Sequence, residues 1–309
     1  MFELLFLGTS ASAPSVHRNL PSMLVKHEDR RFLIDCGEGT QRQILKSGAG
    51  FKNLNKILIT HGHLDHILGL AGLVATLLRW EDSEGIDIYG GKDAIVRITD
   101  LIYSVVIRGN KMPSPIRFHT LSHGLLFDEE KFTVSCFPVI HRGTDSYGFV
   151  FEEKGKHPFL PEKAELLAIP PGPWRRELAN GEVVTLPDGR KISPDQVLGD
   201  FKAGSKLAIV GDTGETDSLV AYVKDADALV IEATYLEEEA DLAGSFSHMT
   251  AKRSALLAKE AGVKHLYLTH ISRRHREKDV LAEAQSVFPD TTVARDLSEY
   301  IIKKVQPEE

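Results

Sequence analysis

A run of six residues, His61-Gly62-His63-Leu64-Asp65-His66, places four possible metal ligands close together in the sequence. It directly follows residues 56–60, a short β-branched segment typical of a buried strand. Two histidines at positions i and i+2 of an extended chain project to the same side. Their nitrogens, like carboxylate oxygens, suit zinc and similar divalent ions. A histidine-rich surface turn is the alternative, which the strand before the run and the helix predicted after it disfavour.

Three further candidate ligands, His141, Asp212 and His270, each follow another predicted strand. A single histidine or aspartate at a strand end is more often a cap or a hydrogen-bonded core group. Because all three recur at the same end of successive strands, we interpret them as parts of one shared site. Five histidines, two aspartates and no cysteine favour Zn²⁺ or Mn²⁺ over a structural cysteine-rich site.

Strands that end in these polar loops alternate with predicted helices. This alternation predicts an α/β layered fold. The predicted strands include residues 4–7, 31–34, 207–210, 228–231 and 265–269, and the predicted helices are residues 41–46, 67–80, 93–105 and 250–261.

Residues 154–191 interrupt this alternation, since they are rich in proline and glycine and include Pro170-Pro171-Gly172-Pro173. An irregular stretch of this length in a compact domain is usually functional or disordered. It contains seven Lys and Arg residues against five Asp and Glu residues, about +2, whereas the chain carries −7. We therefore interpret the segment as a protruding insertion suited to binding anions.

The composition, with 42% hydrophobic and 26% charged residues, is typical of a soluble globular protein of this length. A net charge of −7 argues against nucleic-acid binding by overall charge, so RNA binding needs a local basic patch and no DNA partner is expected. Cys36 and Cys136 form no CxxC pair, which predicts buried free thiols. The first residues lack a basic segment and no membrane-spanning apolar stretch occurs, so we expect a cytoplasmic protein.

The run from Thr60 to His66 resembles the signature of the metallo-β-lactamase superfamily. Further motifs narrow the resemblance to the ribonuclease Z family, the tRNA 3′-processing endonucleases. The resemblance covers nearly the whole chain and implies a four-layer αβ/βα metallo-β-lactamase-like sandwich. It implies a single domain over residues 1–309, with 154–191 as a protruding tRNA-binding arm. The motifs are Phe6-Leu7-Gly8-Thr9, Arg18-Asn19, Asp35-Cys36-Gly37-Glu38-Gly39-Thr40-Gln41, Ser146-Tyr147-Gly148, Glu232-Ala233-Thr234, His248-Met249-Thr250 and Thr269-His270-Ile271-Ser272-Arg273-Arg274.

The resemblance also implies a ligand assignment and an activity. The first metal would be held by His61, His63 and His141, the second by Asp65, His66 and His270, and Asp212 would bridge both. The implied activity is zinc-dependent removal of the 3′ trailer from precursor tRNA by two-metal phosphodiester hydrolysis, leaving a 3′-hydroxyl. Two Zn²⁺ per subunit, or Mn²⁺ or another divalent ion, and a homodimer are implied as well.

The family further implies catalytic roles for Asp65 as general base, for Glu232 and His248 in protonating the leaving group, and for Arg274 near the scissile phosphate. Arg273 competes with Arg274, because the sequence reads Ser272-Arg273-Arg274-His275 where the family commonly has Ser-Ser-Arg-Tyr. Two other departures are Ile231, where the family often has His, and Met249, where it often has Ser. A structural hydrogen-bonded pair is the alternative for His248 and Glu232, and a solvated basic face is the alternative for residues 273–278.

Two other functions compete with tRNA processing. A small-molecule phosphodiesterase, or another metallo-β-lactamase-fold hydrolase such as a lactonase, would use the same ligands, but it needs no insertion like residues 154–191. A non-enzymatic RNA-binding protein with a degenerate centre would not need the complete ligand set.

Overall fold

The computed structural model describes residues 1–79, 85–109, 114–143 and 145–305. These residues form two compact units. The main unit contains Met1–Glu152 and Ser205–Glu309, and the inserted unit contains Glu153–Gly204. In the described parts of the chain, no helix is long and apolar enough to cross a membrane.

The strands in the described residues are numbered in chain order. They are β1 (Phe2–Gly8), β2 (Ser22–His27), β3 (Arg30–Ile34), β4 (Lys56–Leu58), β5 (Ile86–Gly90), β6 (Ile116–Thr120), β7 (Gly124–Asp128), β8 (Phe132–Val139), β9 (Ser146–Glu153), β10 (Val184–Thr185), β11 (Lys191–Ile192), β12 (Lys206–Ile209), β13 (Ala228–Glu232), β14 (Leu266–Thr269), β15 (Thr291–Val293) and β16 (Glu299–Ile302).

The helices are numbered in the same way. They are α1 (Thr40–Ser47), α2 (Leu64–Ile67), α3 (Leu70–Leu77), α4 (Lys92–Asp100), α5 (Pro161–Leu166), α6 (Pro173–Ala179), α7 (Val220–Val223), α8 (Ala240–Ser245), α9 (Ala251–Glu260) and α10 (Glu277–Gln285). A π-helical segment, Leu101–Ile107, continues α4, and short 3₁₀ turns occur at Pro194–Gln196 and Glu237–Glu239.

The main unit contains two seven-stranded mixed sheets. The first has the order β16-β1-β2-β3-β4-β5-β6, and its neighbours from β3 to β6 run parallel. The second has the order β15-β14-β13-β12-β9-β8-β7, and its neighbours from β12 to β15 run parallel. Each sheet therefore has a group of parallel strands whose carboxyl ends share one edge.

Side-chain alternation along the strands creates the layers. In β1, Leu4 and Phe6 join Phe151 of β9 in a core between the two sheets. Leu5 and Leu7 point the opposite way, into a second core with α1, α3 and α4. A third core lies between the second sheet and α7, α9 and α10. The predicted four-layer αβ/βα sandwich is thus confirmed, and so are the buried free thiols of Cys36 and Cys136.

The inserted unit is more regular than its sequence suggests. Two helices, α5 and α6, and the antiparallel pair β10–β11 surround an apolar core that includes Ala164, Leu178 and Val197. Each helix has only one or two turns and each strand only two residues, so no periodic pattern is visible in the sequence. Over Glu153–Gly204, eight Lys and Arg residues match eight Asp and Glu residues. The positive excess seen over residues 154–191 therefore vanishes for the whole unit.

The core between the sheets should dominate the stability of the main unit. We expect Phe151→Ala to lower the free energy of unfolding by about 3–5 kcal/mol, because the ring is fully buried and its loss leaves a cavity. Leu125→Ala, in the same sheet but 66% exposed, should change it by less than about 0.5 kcal/mol. Chemical denaturation measures both, and equal effects would contradict this assignment of the core.

Candidate metal centre

The seven predicted ligands meet at one edge of the sandwich, where strands of both sheets end. The run from His61 to His66 follows β4 in the first sheet. Asp212 and His270 follow β12 and β14 in the second sheet, and His141 follows β8. The fold therefore brings together residues that are up to 209 positions apart in the chain, from His61 to His270.

A close backbone approach joins the two sheets at this edge. A Cβ added to Gly211 would lie 2.9 Å from the Cβ of Thr60, closer than carbon atoms pack. Only glycine therefore allows the segment before Asp212 to pass against the residue before His61. The backbone N–H of Tyr147 also donates to the carbonyl of Thr60 at 2.8 Å.

The first group of ligand atoms comprises three ring nitrogens and one carboxylate oxygen. His63 Nδ1 lies 2.9 Å from His61 Nε2 and 3.3 Å from His141 Nε2. Asp212 Oδ2 lies 3.7 Å from His61 Nε2 and 3.9 Å from His141 Nε2. These four residues form one group able to surround an ion.

The second group lies on the other side of the same aspartate. Asp65 Oδ2 lies 3.8 Å from His66 Nε2 and 3.5 Å from His270 Nε2. Asp212 Oδ2 lies 3.6 Å and 3.4 Å from the same two nitrogens. One oxygen of Asp212 therefore faces four of the predicted ligand imidazoles, two from each group, and His248 Nδ1 lies 3.8 Å from the same oxygen.

Hydrogen bonds outside the centre determine which nitrogen of each imidazole faces inward. His61 Nδ1 lies 3.1 Å from Thr60 Oγ1, whose hydroxyl donates to Asp35 Oδ2 at 2.8 Å. His66 Nδ1 lies 2.7 Å from the same Asp35 oxygen. Because these partners engage Nδ1 of each ring, both rings point Nε2 towards the centre.

The same arrangement holds for the ligands of the second sheet. His141 Nδ1 donates to the carbonyl oxygen of Ser247 at 2.7 Å, and His270 Nδ1 lies 2.8 Å from Thr234 Oγ1. The Nε2 atoms of His66 and His270 are fully buried and have no hydrogen-bond partner. A buried polar atom without a partner is costly, and a cation would satisfy both nitrogens.

These distances fit a metal ion. A tetrahedral zinc ion with bonds of about 2.0–2.1 Å separates its ligand atoms by about 3.3–3.4 Å. The ligand-atom separations in the two groups, from 2.9 to 3.9 Å, bracket that value. Nitrogen and carboxylate donors without sulfur also suit Zn²⁺, Mn²⁺ and similar ions. The residues present therefore fit a divalent metal.

The electrostatics of the two groups differ. Burial lowers the pKa of His61 well below its ordinary value and that of His63 to about 4, so both rings are neutral at neutral pH. Burial alone would lower the pKa of His66 too, but the carboxylates of Asp35, Asp212 and Asp65 raise it well above its ordinary value. The second group is thus surrounded by negative charge that favours a cation.

His248 and Glu232 lie beside the ligands and form a buried pair. His248 Nδ1 lies 3.0 Å from both Glu232 oxygens, and Oε1 of Glu232 also accepts from the backbone N–H of Thr213 at 2.8 Å. Burial opposes protonation of His248, but Glu232 and then Asp212 raise its pKa to about 9. His248 Nδ1 is also near Asp212 and His270, but Glu232 already engages this nitrogen. Glu232 therefore engages His248 at Nδ1 and favours the protonated form of its ring.

The two candidate arginines have different surroundings. Arg274 is 61% exposed, and its Nη2 pairs with Glu239 Oε1 at 2.9 Å. Arg273 lines a cavity of about 560 Å³ together with Ser10 and Ile271, the residue after His270. Only Arg273 of the two lines this cavity.

Asp35 and Thr234 contact candidate ligands but received no role from the sequence. Both belong to motifs that carry the family resemblance, but only the structure shows that Asp35 supports His66 and Thr234 supports His270. Asp35 and His270 also adopt left-handed backbone, with φ of 56° and 55°. Such conformations are uncommon outside glycine and cluster at functional sites.

Removal of the Asp35 carboxylate should weaken metal binding without removing a ligand. We expect Asp35→Ala to lower divalent-metal affinity about 10–100-fold, because His66 loses the partner that orients it. Competition with a chelator measures this affinity. Asp227→Ala is the control, since Asp227 is also buried but accepts from the backbone N–H groups of Val305 and of Lys206, which begins β12, whereas Asp212 follows the other end of that strand. Unchanged affinity in the Asp35 variant would contradict the supporting role.

Several curated proteins with similar sequences are ribonucleases Z. The chain is 46% identical to a ribonuclease Z of Bradyrhizobium diazoefficiens over 98% of this chain and all of that protein. It is 39% identical to a ribonuclease Z of Archaeoglobus fulgidus over 96% of each chain. Residues 2–159, just over half of the chain, match the family model described as Anti-Pycsar protein Apyc1.

Solved structures agree with this relationship. The short form of human tRNase Z has 27% sequence identity and a TM-score of 0.68, covering 97% of this chain and 99% of that one. The metallo-beta-lactamase fold protein YhfI from Bacillus subtilis has 17% identity and a TM-score of 0.69, covering 97% of this chain and all of that one, which supports the fold alone. Because it is 46% and 39% identical to these curated ribonucleases Z over nearly its full length, the chain belongs to the ribonuclease Z family, and it has the metallo-β-lactamase fold.

Proposed function

We propose that this protein is a zinc-dependent endoribonuclease that removes the 3′ trailer from precursor tRNA and leaves a 3′-hydroxyl on the tRNA. Family membership supports the class of reaction and the substrate. One observation carries the two-metal mechanism. A single oxygen of Asp212 faces two imidazoles of each ligand group, at 3.4 to 3.9 Å, as a bridging carboxylate must.

In this proposal His61, His63 and His141 hold one ion, Asp65, His66 and His270 hold the other, and Asp212 contacts both. Zn²⁺ is the expected ion, and Mn²⁺ is the alternative that the same donors accept. Two such ions, when bound, lower the pKa of water and offset charge on the phosphodiester.

The chain's own groups then direct the proton transfers. Asp65, at the edge of the second group, orients the attacking water and accepts its proton, as the family implies. His248 donates a proton to the leaving 3′ oxygen, because its pKa of about 9 keeps it protonated at neutral pH. Glu232 holds the ring at Nδ1 and compensates its charge.

An arginine is proposed to stabilise charge on the scissile phosphate. Arg274 matches the family position, but it pairs with Glu239 and would have to release that carboxylate. Arg273 lines the cavity beside Ile271. The surroundings of the two side chains therefore favour Arg273, and the role of Arg274 stays a prediction.

Substitution of His248 tests the proton donor. We expect His248→Ala to lower kcat on precursor tRNA by about 10²–10⁴-fold, the usual contribution of a general acid, with metal content unchanged. His265→Ala is the matched control, because His265 is a partly buried histidine that bonds to Thr292 at the opposite end of β14. If the His248 variant keeps its metal content and turns over substrate as fast as wild type, His248 is not the acid, and it forms only a structural hydrogen-bonded pair with Glu232.

The inserted unit is proposed to be the arm that grips tRNA. It has its own core, so it is a folded body and not a loose loop. It carries no net charge, and binding would therefore rely on exposed cations such as Lys156, Arg176 and Lys191 and on the shape of the folded RNA. The protrusion of this unit, the single-domain description, the homodimer and the cytoplasmic location all stay predictions.

Deletion of the inserted unit tests this role. Gly204 lies directly against Glu153, since a Cβ added to Gly204 would be 2.2 Å from the carbonyl oxygen of Glu153. A short Gly-Ser linker can therefore replace residues 153–204. We expect this deletion to reduce kcat/KM for precursor tRNA at least about tenfold, while cleavage of bis(p-nitrophenyl) phosphate stays within about twofold of wild type, since the ligands are all in the main unit.

Point variants refine the same test. Arg176→Ala combined with Lys191→Ala should weaken precursor tRNA cleavage in the same direction, whereas Glu177→Ala in the same helix should not. Equal losses on both substrates after deletion would count against an RNA-binding role for the unit.

Hydrolysis of small phosphodiesters is the second candidate function. The observation that favours it is that all seven proposed ligands lie in the main unit, so the centre itself needs no residue of the inserted unit. Parallel assays on precursor tRNA and cyclic nucleotides separate the two functions. Fewer than one metal ion per chain would instead support the non-enzymatic RNA-binding alternative.

A further inference from the structure

The second ligand group, Asp65, His66 and His270, is supported by a loop near the start of the sequence. The loop comprises residues 9–19 and is called the N-terminal loop. The backbone N–H of Ser12 donates to Asp65 Oδ2 at 3.0 Å. This is the same oxygen that faces His66 and His270. The orientation of the ligand atom of Asp65 therefore depends on where the N-terminal loop holds Ser12.

The N-terminal loop also touches the segment after His270. Ala11 donates its backbone N–H to the carbonyl of Ile271 at 3.1 Å, and Ile271 donates to the carbonyl of Thr9 at 2.8 Å. Ser12 itself has a left-handed φ of 55°, so its N–H direction depends on the loop's conformation. The loop thus contacts both Asp65 and the residue next to His270, which are ligands of one group.

The side chain of Asp296 bonds to both ends of the N-terminal loop. Its Oδ1 accepts from the Thr9 hydroxyl at 2.7 Å, and its Oδ2 accepts from the Asn19 backbone N–H at 2.6 Å and from Gln43 Nε2 at 3.0 Å. Thr9 and Asn19 are the two ends of the loop. One carboxylate therefore ties both ends together and anchors them to α1.

We propose that Asp296 is a positioning residue for the second metal, acting through the N-terminal loop and the Ser12 N–H on Asp65. This proposal rests on the two-metal centre of the proposed function. Asp296 has no described contact with any of the seven ligands, so its effect on metal binding must pass through the loop. A purely structural role would instead affect the whole fold and both metals alike.

Asparagine at position 296 breaks this closure with little change in shape. Three donors converge on the two oxygens of Asp296, whereas an amide has only one acceptor oxygen. If the amide nitrogen faces Asn19 and Gln43, two donors meet a donor and both bonds are lost. If it faces Thr9, the Thr9 hydroxyl, which already accepts from Arg18 Nη1, must accept a second bond instead of donating one. In either orientation the tie between Thr9 and Asn19 is weakened, and the Ser12 N–H is held less firmly against Asp65.

The test measures the affinity for the first and the second Zn²⁺ by chelator competition, with metal stoichiometry, for wild type and Asp296→Asn. We expect the variant to bind the second ion about 10–100-fold more weakly, the usual effect of losing an outer partner of a metal ligand. Affinity for the first ion should stay within about twofold of wild type. Excess zinc should restore the turnover of the variant on precursor tRNA.

Asp227→Asn is the matched control, because this buried carboxylate also accepts two backbone N–H bonds, from Lys206 and Val305. It should leave both affinities unchanged. Thr9→Val removes one hydrogen bond to Asp296 and should also lower the affinity for the second ion. This variant keeps the test possible if Asp296→Asn does not fold.

Two results overturn the inference. Wild-type affinity for both ions in Asp296→Asn, or equal weakening of both, would show that Asp296 does not position the second group. If the wild-type protein itself binds fewer than two ions, the two-metal proposal fails and this inference fails with it. A failure confined to the variant leaves the proposed function intact.

Discussion

The convergence of four imidazoles on one buried oxygen of Asp212 constrains the rest of this structure. Ring nitrogens with exposed lone pairs repel each other and the carboxylate unless a cation lies between them. The protein holds them together because each ring is fixed from outside, by Asp35, Thr60, Ser247 or Thr234. These outer bonds come from both sheets, so the centre requires the correct packing of one sheet on the other. The large core between the sheets is therefore also what keeps the ligands in position.

The ligand set could be predicted from the sequence because most of its members are local signals. Four of the seven lie within six residues, and the others directly follow apolar strands that are visible as short runs. The supporting residues could not be predicted in this way. Asp296 and Thr9 are 287 residues apart, and no pattern in the chain connects them. Only the closure of the first sheet by β16 against β1 brings these regions together.

Most of the predicted strands and helices match observed elements, and particular residues explain the differences in their bounds. The helix expected over residues 67–80 is observed as α3, Leu70–Leu77, while residue 67 ends the separate helix α2, and Trp80 lies outside the described residues. The division falls at Gly69, where an added Cβ would lie 2.0 Å from the carbonyl oxygen of Gly37. This tertiary contact is invisible to helical periodicity. The inserted unit ends at Gly204, whereas the predicted insertion ends at residue 191. The additional residues belong to the unit because the backbone of Lys202 forms an antiparallel β-bridge with Lys156.

The proposed acid, His248, and the ligand His270 both depend on the carboxylate of Glu232. This shared support determines which substitutions can separate proton donation from metal binding. Glu232 holds His248, and it also accepts the hydroxyl of Thr234, which in turn contacts Nδ1 of His270. Loss of Glu232 therefore disturbs proton donation and metal binding together. A fall in activity after substitution of Glu232 cannot assign either role. His248 contacts Glu232 at the end of this chain of bonds, so its removal leaves the Thr234–His270 contact in place. Substitution of His248 can therefore test proton donation without disturbing metal binding, whereas substitution of Glu232 cannot.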